Sequence, residues 1–267
     1  MPTTPASPEH LRDLAVAVGT AAGEVLAEHA RTGWEASTKT SATDPVTDAD
    51  RASERHIVDA LLAARPDDGI VGEEDTGDRA GTSGLRWVID PLDGTVNYTY
   101  RNPQWAVSIA VVDDDGPLAG AVVDPGRGEV FAAARDGGAT LDGAPLQVTP
   151  VEDLALTLVG TGFGYDPRVR AVQGRQVADL VARVRDVRRG GSAALDLAWV
   201  AAGRLDAYWE YGLNPWDWAA GSLLVTEAGG IVHRSTVEVH GQRDQVVAGN
   251  AVAVGHLVEW AADRVPA

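Results

Sequence analysis

The chain contains no cysteine. Disulfides, thiolate nucleophiles, Cys-ligated zinc and iron–sulfur clusters are therefore excluded. It is poor in positive charge: 22 Lys and Arg stand against 39 Asp and Glu, a formal net charge of −17. A field of that sign repels nucleic acid and anionic lipid. It also repels phosphorylated metabolites unless bound divalent cations reverse the sign locally. Lysine is almost absent, since all but one of the basic residues are Arg. A GC-rich genome explains the Arg. The surviving Lys39 is then either a place where an ammonium is needed or a chance retention on the surface. No apolar run approaches ~20 residues, so a transmembrane helix is not expected. The polar, Pro-rich stretch 1–9 has no basic region leading into an apolar one, which points to the cytoplasm.

What is present reads as one globular unit of 267 residues. Residues 1–7 form a tail. Apolar residues at Leu11, Leu14, Ala15, Val18, Ala22, Val25 and Leu26 mark a helical stripe. A second helix starts at about 48–50, where Asp is a good N-cap, and runs to about 65. Strands are expected at 87–89, 105–112, 118–123 and 129–134, separated by Asp-Gly turns. From residue 150 the pattern alternates. Strands at 156–160, 187–189 and 205–209 are followed by helices at 169–184, 192–202 and 216–228. Short strands at 231–232 and 245–248 and a final helix from 251 follow. Residues 8–267 form a single catalytic domain whose two halves meet near 145–155.

The carboxylates cluster at strand ends and helix starts. Asp90 follows the apolar strand Trp87-Val88-Ile89, and Asp93 comes three residues later. An ionised carboxylate at the end of a buried strand is costly unless paired or metal-bound. A divalent cation between the two removes their repulsion, and oxygen ligands suit magnesium. The Leu92 carbonyl supplies a further hard ligand. Gly94 and Thr95 open a turn or short helix whose N–H groups suit a phosphate. The alternative is a charged Asp-Gly turn. Glu73 and Glu74 also follow an apolar strand. Asp217 lies between Trp216 and Trp218 where a helix begins, either as a cap or as a partly buried acid needing a partner. Asp44, Asp48 and Asp50 sit near Lys39, with helix capping the alternative for Asp48 or Asp50. The run Gly160-Thr161-Gly162-Phe163-Gly164 lacks the Lys-Ser/Thr of a P-loop and the dinucleotide-binding spacing, so it reads as a loop bordering the substrate. All six histidines lie outside these segments.

Together these pieces resemble the inositol monophosphatase family. The matching segments are Gly72-Glu73-Glu74, then Trp87 to Tyr98 with its Asp90-Pro91-Leu92-Asp93-Gly94-Thr95 core, then Trp216-Asp217-Trp218-Ala219-Ala220-Gly221. Lys39 with the 44–50 segment, Gly191-Ser192-Ala193-Ala194 and Tyr208-Trp209-Glu210 also match. The resemblance runs from about residue 10 to the C-terminus, and its order and spacing are specific. It implies a layered αβαβα sandwich and a Mg²⁺-dependent phosphomonoesterase of the bacterial inositol-1-monophosphatase type, using two to three ions. By the same resemblance, Glu73, Asp90 and the Leu92 carbonyl hold the first ion. Asp90, Asp93 and Asp217 hold the second, and Glu73 reaches a third. Glu73 and Thr95 help activate the attacking water, while Lys39 and Asp50 line the water and metal network. Gly94 and Thr95 hold phosphate, and the Ala193 backbone and Glu210 contact the inositol ring. A lithium-sensitive homodimer acting on a small phosphorylated metabolite is implied too, with eight Trp as added support for an interface.

Haloacid-dehalogenase phosphatases also carry Asp…Asp-Gly-Thr, but there one residue separates the aspartates, whereas Pro91 and Leu92 make two here. Phosphatases of the same fold acting on fructose-1,6-bisphosphate, histidinol phosphate or 3′-phosphoadenosine phosphates are nearer rivals. Glu210 favours a polyol, because a carboxylate accepts hydrogen bonds from ring hydroxyls. A non-enzymatic metal-binding scaffold would lack a ligand or Thr95, and neither is missing. Lys39→Ala is expected to slow phosphate release more than Ala at any exposed Arg. An unchanged rate and unchanged Mg²⁺ dependence would return Lys39 to an ordinary surface position.

Overall fold

The computed structural model describes residues 7–33, 36–38, 45–74, 79–262 and 264. The first helix, α1 (Pro8–Thr32), buries the stripe read from its sequence and is capped by Ser7, whose Oγ accepts from the His10 N–H at 3.3 Å. A two-stranded ribbon, β1 (Ala36–Thr38) and β2 (Pro45–Thr47), leads into α2 (Asp48–Ala64). Next come β3 (Gly69–Gly72), β4 (Arg86–Asp93) and the single-turn α3 (Thr95–Thr99). A meander of β5 (Ala106–Asp113), β6 (Gly116–Asp124), β7 (Glu129–Ala134), β8 (Gly138–Leu141) and β9 (Ala144–Pro145) completes a seven-stranded sheet in sequence order from β3 to β9.

The second part begins with β10 (Leu158–Thr161), α4 (Pro167–Leu180), β11 (Asp186–Arg188), α5 (Ala193–Ala201) and β12 (Ala207–Tyr211). It ends with α6 (Pro215–Glu227), β13 (Ile231–Val239), β14 (Gln242–Gly249) and α7 (Ala251–Ala262). Its sheet has the order β11-β10-β12-β14-β13. The short strands expected at 231–232 and 245–248 are a long hairpin instead. Its β13 is mostly exposed or half-exposed, with only Val237 and Val239 buried, and carries Arg and Glu, so the apolar signal stops early while backbone pairing continues.

Three cores separate five layers. Leu11, Ala15, Leu26, Ile57 and Leu61 of α1 and α2 pack on Trp87, Ile89, Ile109 and Ala121 of the large sheet. The opposite face of that sheet meets α5 and α6, which pack on Tyr208, Val246 and Ala248 of the small sheet. The far face of the small sheet is covered by α4 and α7 through Val172, Trp209, Val247 and Leu257. This is the expected αβαβα sandwich. The Trp residues offered as interface groups are mostly interior. Trp87, Trp105, Trp209, Trp218 and Trp260 are buried in these cores, and Trp199 and Trp216 are half-buried. Among the described residues no helix is long and apolar enough to cross a membrane. Lys39 and Asp44 lie outside the described residues.

One buried polar knot fastens α2 to the large sheet. Asp68, in the turn before β3, accepts from the Trp87 indole at 3.0 Å and from Arg65 Nε and Nη2 at 2.9 and 3.0 Å. Burial opposes its charge, but the bonds from Arg65, Ser83 and Trp87 outweigh that and hold its carboxyl below the ordinary value. Asp68→Ala would leave a guanidinium and an indole N–H without their acceptor, which costs about 3–5 kcal/mol. Urea unfolding at neutral pH should record a loss of that order. Because the folded carboxyl is depressed, its contribution is present above the ordinary value of 3.8 and fades as pH falls below it.

Candidate active site

A cavity of about 480 Å³ opens between the two sheets. Its walls come from six places: the segment after β3, the end of β4 with the start of α3, the loop after β10, the start of α5, β12, and the first turn of α6. Glu73, Asp90, Leu92, Asp93, Gly94, Thr95, Ala193, Glu210 and Asp217 all line it. Nine sequence-derived site residues, drawn from positions up to 144 apart, therefore share one cavity.

The β4 end explains how Asp90 and Asp93 come to face it together. Side chains alternate along a strand, so residues three apart point to opposite faces. Asp90 pairs with Ser108 and Asp93 with Ala106, so Pro91 and Leu92 together oppose Val107 alone. This is a bulge, and the extra residue turns Asp93 to the same side as Asp90. Pro91, which has no N–H, suits the break in the ladder. Its carbonyl accepts from the buried Ser53 hydroxyl at 2.9 Å, and the Leu92 N–H closes on Asp90 Oδ1 at 3.0 Å. Gly94 then takes φ +97°, and a Cβ there would stand 2.8 Å from the Gln104 carbonyl, so only glycine fits.

Asp93, Asp217 and Asp50 are also fixed. Asp93 Oδ2 accepts from the Ser192 hydroxyl and the Ala194 N–H, both at 2.7 Å, at the N-terminus of α5. Asp217 Oδ2 accepts from the Asn214 N–H at 2.6 Å and closes a capping box at the start of α6. Asp217 thus does both things its sequence setting allowed: it caps the helix and lines the cavity. Asp50 likewise caps α2, accepting from the Thr47 N–H at 2.8 Å and from the Thr47 hydroxyl. Its Oδ1 also lies 3.2 Å from Thr95 Oγ1, which is 3.1 Å from the Leu92 carbonyl. The single Thr95 hydrogen serves one of these acceptors at a time.

The electrostatics are those of crowded acids. Burial pushes the Asp90 carboxyl well up, and the charges of Glu73, Asp93 and Asp217 push it further. Asp217 is raised well above the ordinary range, by burial first and then by Asp93 and Glu73. Burial lifts Asp93 to about 6 against the bonds from Ser192 and Ala194. Across the cavity, burial lifts Glu210 to about 7, although the Tyr208 hydroxyl donates to it and Arg189 faces it. Among the described residues, no three His, Cys, Asp or Glu are closed into a metal cage. The donor chemistry nevertheless fits hard cations. Every donor is an oxygen, the carboxylates raise one another's pKa, and Arg189 is the only Lys or Arg among the described lining residues.

Sequence reading missed Ser192 as the hydroxyl that holds Asp93, and it missed Asp196, Arg189, Tyr165 and Asp166 on the wall. Asp196 left a signal: one acid inside the apolar run Ala193-Ala194-Leu195-Asp196-Leu197-Ala198. Of the run 160–164 expected as a loop, Gly160 and Thr161 end β10, and residues 162–166 border the cavity, with Gly162 packed against the Glu210 carboxylate.

A five-layer sandwich with an acidic, oxygen-lined cavity between its sheets defines a class of phosphatases that work with divalent metals. Residues 7–264 match the inositol monophosphatase family, and the chain belongs to that family. It is 48% identical over 218 residues to the inositol-1-monophosphatase of Mycobacterium bovis, covering 79% of this chain and 75% of that one. It is 44% identical over 245 residues to the Nus factor SuhB of Escherichia coli, covering 90% of each. Among solved structures it resembles the extragenic suppressor protein suhB of Bartonella henselae, with a TM-score of 0.85 and 34% identity over 94% of this chain and 97% of that one. It also resembles the inositol monophosphatase of Anabaena, with a TM-score of 0.81 and 33% identity over 97% of each chain.

The raised carboxyl of Asp93 yields a stability prediction with a definite sign. Its unfolded form ionises near 3.8 and its folded form near 6, so ionisation increasingly favours unfolding as pH rises through that window. The melting temperature of chelator-treated protein should fall from about pH 4 to above pH 6. Asp93→Asn should make that fall shallower. An equal slope in both proteins would show that Asp93 is not strained by its charge.

Proposed function

We propose that the chain is a Mg²⁺-dependent phosphomonoesterase that hydrolyses inositol monophosphate to inositol and phosphate. The observation that carries this reading is the bulge that turns Asp90 and Asp93 together into a cavity shared with Glu73 and Asp217, beside Gly94 and Thr95 and facing Glu210. Glu73, Asp90 and the Leu92 carbonyl would hold one ion, Asp90, Asp93 and Asp217 a second, and Glu73 would reach a third. Such ions supply Lewis-acid polarisation of the phosphoryl group, acidify the attacking water and stabilise the departing alkoxide.

The protein's own groups orient and exclude. The Gly94–Thr95 turn offers N–H groups to a phosphate oxygen. Thr95 Oγ1, poised between Asp50 and the Leu92 carbonyl, orients the water, and Glu73 takes its proton. By the family resemblance, Lys39 would serve the water and metal network together with Asp50. The Ala193 backbone and Glu210 bind the leaving group through its hydroxyls. Residues 8–267 act as one catalytic domain, in the cytoplasm, as a homodimer. The dimer rests on the family resemblance, since the described Trp residues lie in or against the cores, and light scattering at micromolar concentration tests it. The net charge of −17 favours a small substrate held by cations over a nucleic-acid partner. The Nus factor name of some relatives is not carried over to this chain.

The deciding experiment measures phosphate release from a panel of phosphomonoesters, with and without Mg²⁺, including fructose-1,6-bisphosphate, histidinol phosphate and a 3′-phosphoadenosine phosphate. Inositol phosphate should lead, and only with Mg²⁺. A charge-assisted bond to a ring hydroxyl contributes roughly 1.5–3 kcal/mol. Glu210→Gln should therefore lower kcat/KM for inositol phosphate by about tenfold or more, and affect an aryl phosphate far less. Equal losses on both would assign Glu210 to the fold. Li⁺, close to Mg²⁺ in size at half the charge, should inhibit in an uncompetitive or mixed manner, less strongly in Asp217→Asn. Purely competitive inhibition would remove Li⁺ from the Asp217 site.

A further inference from the structure

Gln104 and Asp196 come from opposite halves of the chain and meet at Gly190. Both are buried, and each carries one interior atom without a hydrogen-bond partner: Nε2 of Gln104 and Oδ1 of Asp196. The first can only donate, and the second, ionised, can only accept. Both atoms crowd the same point. A Cβ built on Gly190 would stand 2.5 Å from Asp196 Oδ1 and 3.2 Å from Gln104 Nε2. Two atoms that both lie against one such point are close enough for one water to span, or for side-chain rotation to close a direct bond.

The orientation of the Gln104 amide is fixed from its other end. Its Oε1 accepts from Arg127 Nη2 at 2.8 Å, and Arg127 is itself anchored on Asp124 at 2.8 Å. A guanidinium needs the amide oxygen, so the amide nitrogen is left to face Asp196. The backbone of Gln104 is engaged as well. Its carbonyl accepts from Asn97 Nδ2 at 2.7 Å, and the same nitrogen lies 2.9 Å from the Gly190 carbonyl. That Gln104 carbonyl is also the atom a side chain at position 94 would strike. On the other side, Asp196 sits in the first turn of α5 and lines the cavity. Burial, then the charges of Glu210 and Asp93, push its carboxyl well up, against the Arg189 guanidinium and a backbone bond from Gly190; in either form the carboxyl offers Gln104 an acceptor oxygen. The turn that Gly190 begins ends in Ser192 and Ala194, the two donors that grip Asp93.

We propose that Gln104 and Asp196 form a polar latch across Gly190, joined directly or through one water, that fixes the turn 190–194 and through it the aim of Asp93 and of the Ala193 backbone. They are positioning residues. Neither is required to touch the substrate. The latch joins the segment before β5 that packs on Gly94 to the helix that holds Asp93, so it sets the spacing between the phosphate side and the leaving-group side of the cavity. Its effect on metal binding rests on the functional reading above, in which Asp93 is a cation ligand.

The test is a double-mutant cycle on the full-length protein, with Gln104→Ala, Asp196→Ala and the pair. Three readouts are taken: Mg²⁺ affinity by calorimetry, the melting temperature without Mg²⁺, and the Mg²⁺ half-saturation of turnover against KM. Loss of a group that orients a metal ligand costs about tenfold or more in affinity, and each single variant should show this. The double variant should be no worse than the worse single. Asp196→Asn keeps an acceptor toward Gln104 and should stay within about threefold of the parent, well short of the orienting-group loss. Gly190→Ala, whose methyl displaces Asp196 Oδ1, should reproduce Asp196→Ala. Losses that add in the double variant, or Mg²⁺ affinity unchanged in both singles, would overturn the latch. Should the Ala variants fail to fold, Asp196→Asn and Gly190→Ala still separate the outcomes. A high-resolution crystal structure decides independently: Gln104 Nε2 and Asp196 Oδ1 bonded or sharing a water supports the latch, and their separation without a common partner refutes it. Parent protein that binds no Mg²⁺ and releases no phosphate would defeat the functional reading instead, leaving the melting-temperature cycle and the crystal structure to judge the latch.

Discussion

Like charges held close together inside a protein repel strongly, and Asp90, Asp93, Asp217 and Glu73 are held in that way around one cavity. Burial and mutual repulsion raise Asp90 and Asp217 far above their ordinary range. A fold can hold acids so only by anchoring each one and by accepting a counter-charge when it works. The anchors are visible. Asp93 is gripped by the start of α5, Asp217 by the capping box of α6, and Asp90 by the N–H of the bulge it begins. Helix N-termini recur because their unpaired N–H groups and partial positive charge favour carboxylates.

The five-layer architecture serves this arrangement. Strand β4 lies in the large sheet with an apolar core on each face, so its end cannot drift. The middle layer, α5 and α6, packs on both sheets and starts both helices at the cavity. The acids of one sheet and the hydroxyl acceptor Glu210 of the other therefore face across a gap whose width is set by helix packing. The polar ties at Asp68, Asp50 and Gly190 add direction to what apolar burial alone leaves free to slide.

Much of this was legible in the chain. The apolar stripe of α1, the strand before Asp90 and the alternation of strands and helices after residue 150 all follow from local periodicity. The motif order brought nine of the ten named site residues that the structure describes into one cavity, with Asp50 just behind Thr95. Other features were not legible. The β13–β14 hairpin was shortened because a half-exposed strand carries a weak apolar signal. The Trp count lends an interface little support, because composition cannot tell an aromatic in a core from one on a surface. The roles of Ser192 and Asp196 were not legible, because the groups they approach, Asp93 and Gln104, lie 99 and 92 residues away in sequence.

The amino-acid sequence set the chemistry on offer: hard oxygen donors, no thiols, a Gly94–Thr95 turn beside two acids and a net charge of −17. It also determined which residues prefer helix or strand, because those preferences act over a few neighbouring positions. Tertiary structure decided which acids share a cavity, that Asp90 and Asp93 face the same way, and which buried donors meet which acceptors. The bulge at Pro91–Leu92 shows why. A regular strand with two residues between its acids puts them on opposite faces, and only pairing with β5 reveals the extra residue that reverses the second one. Register and close approach are properties of two segments at once, and no local pattern in either one contains them.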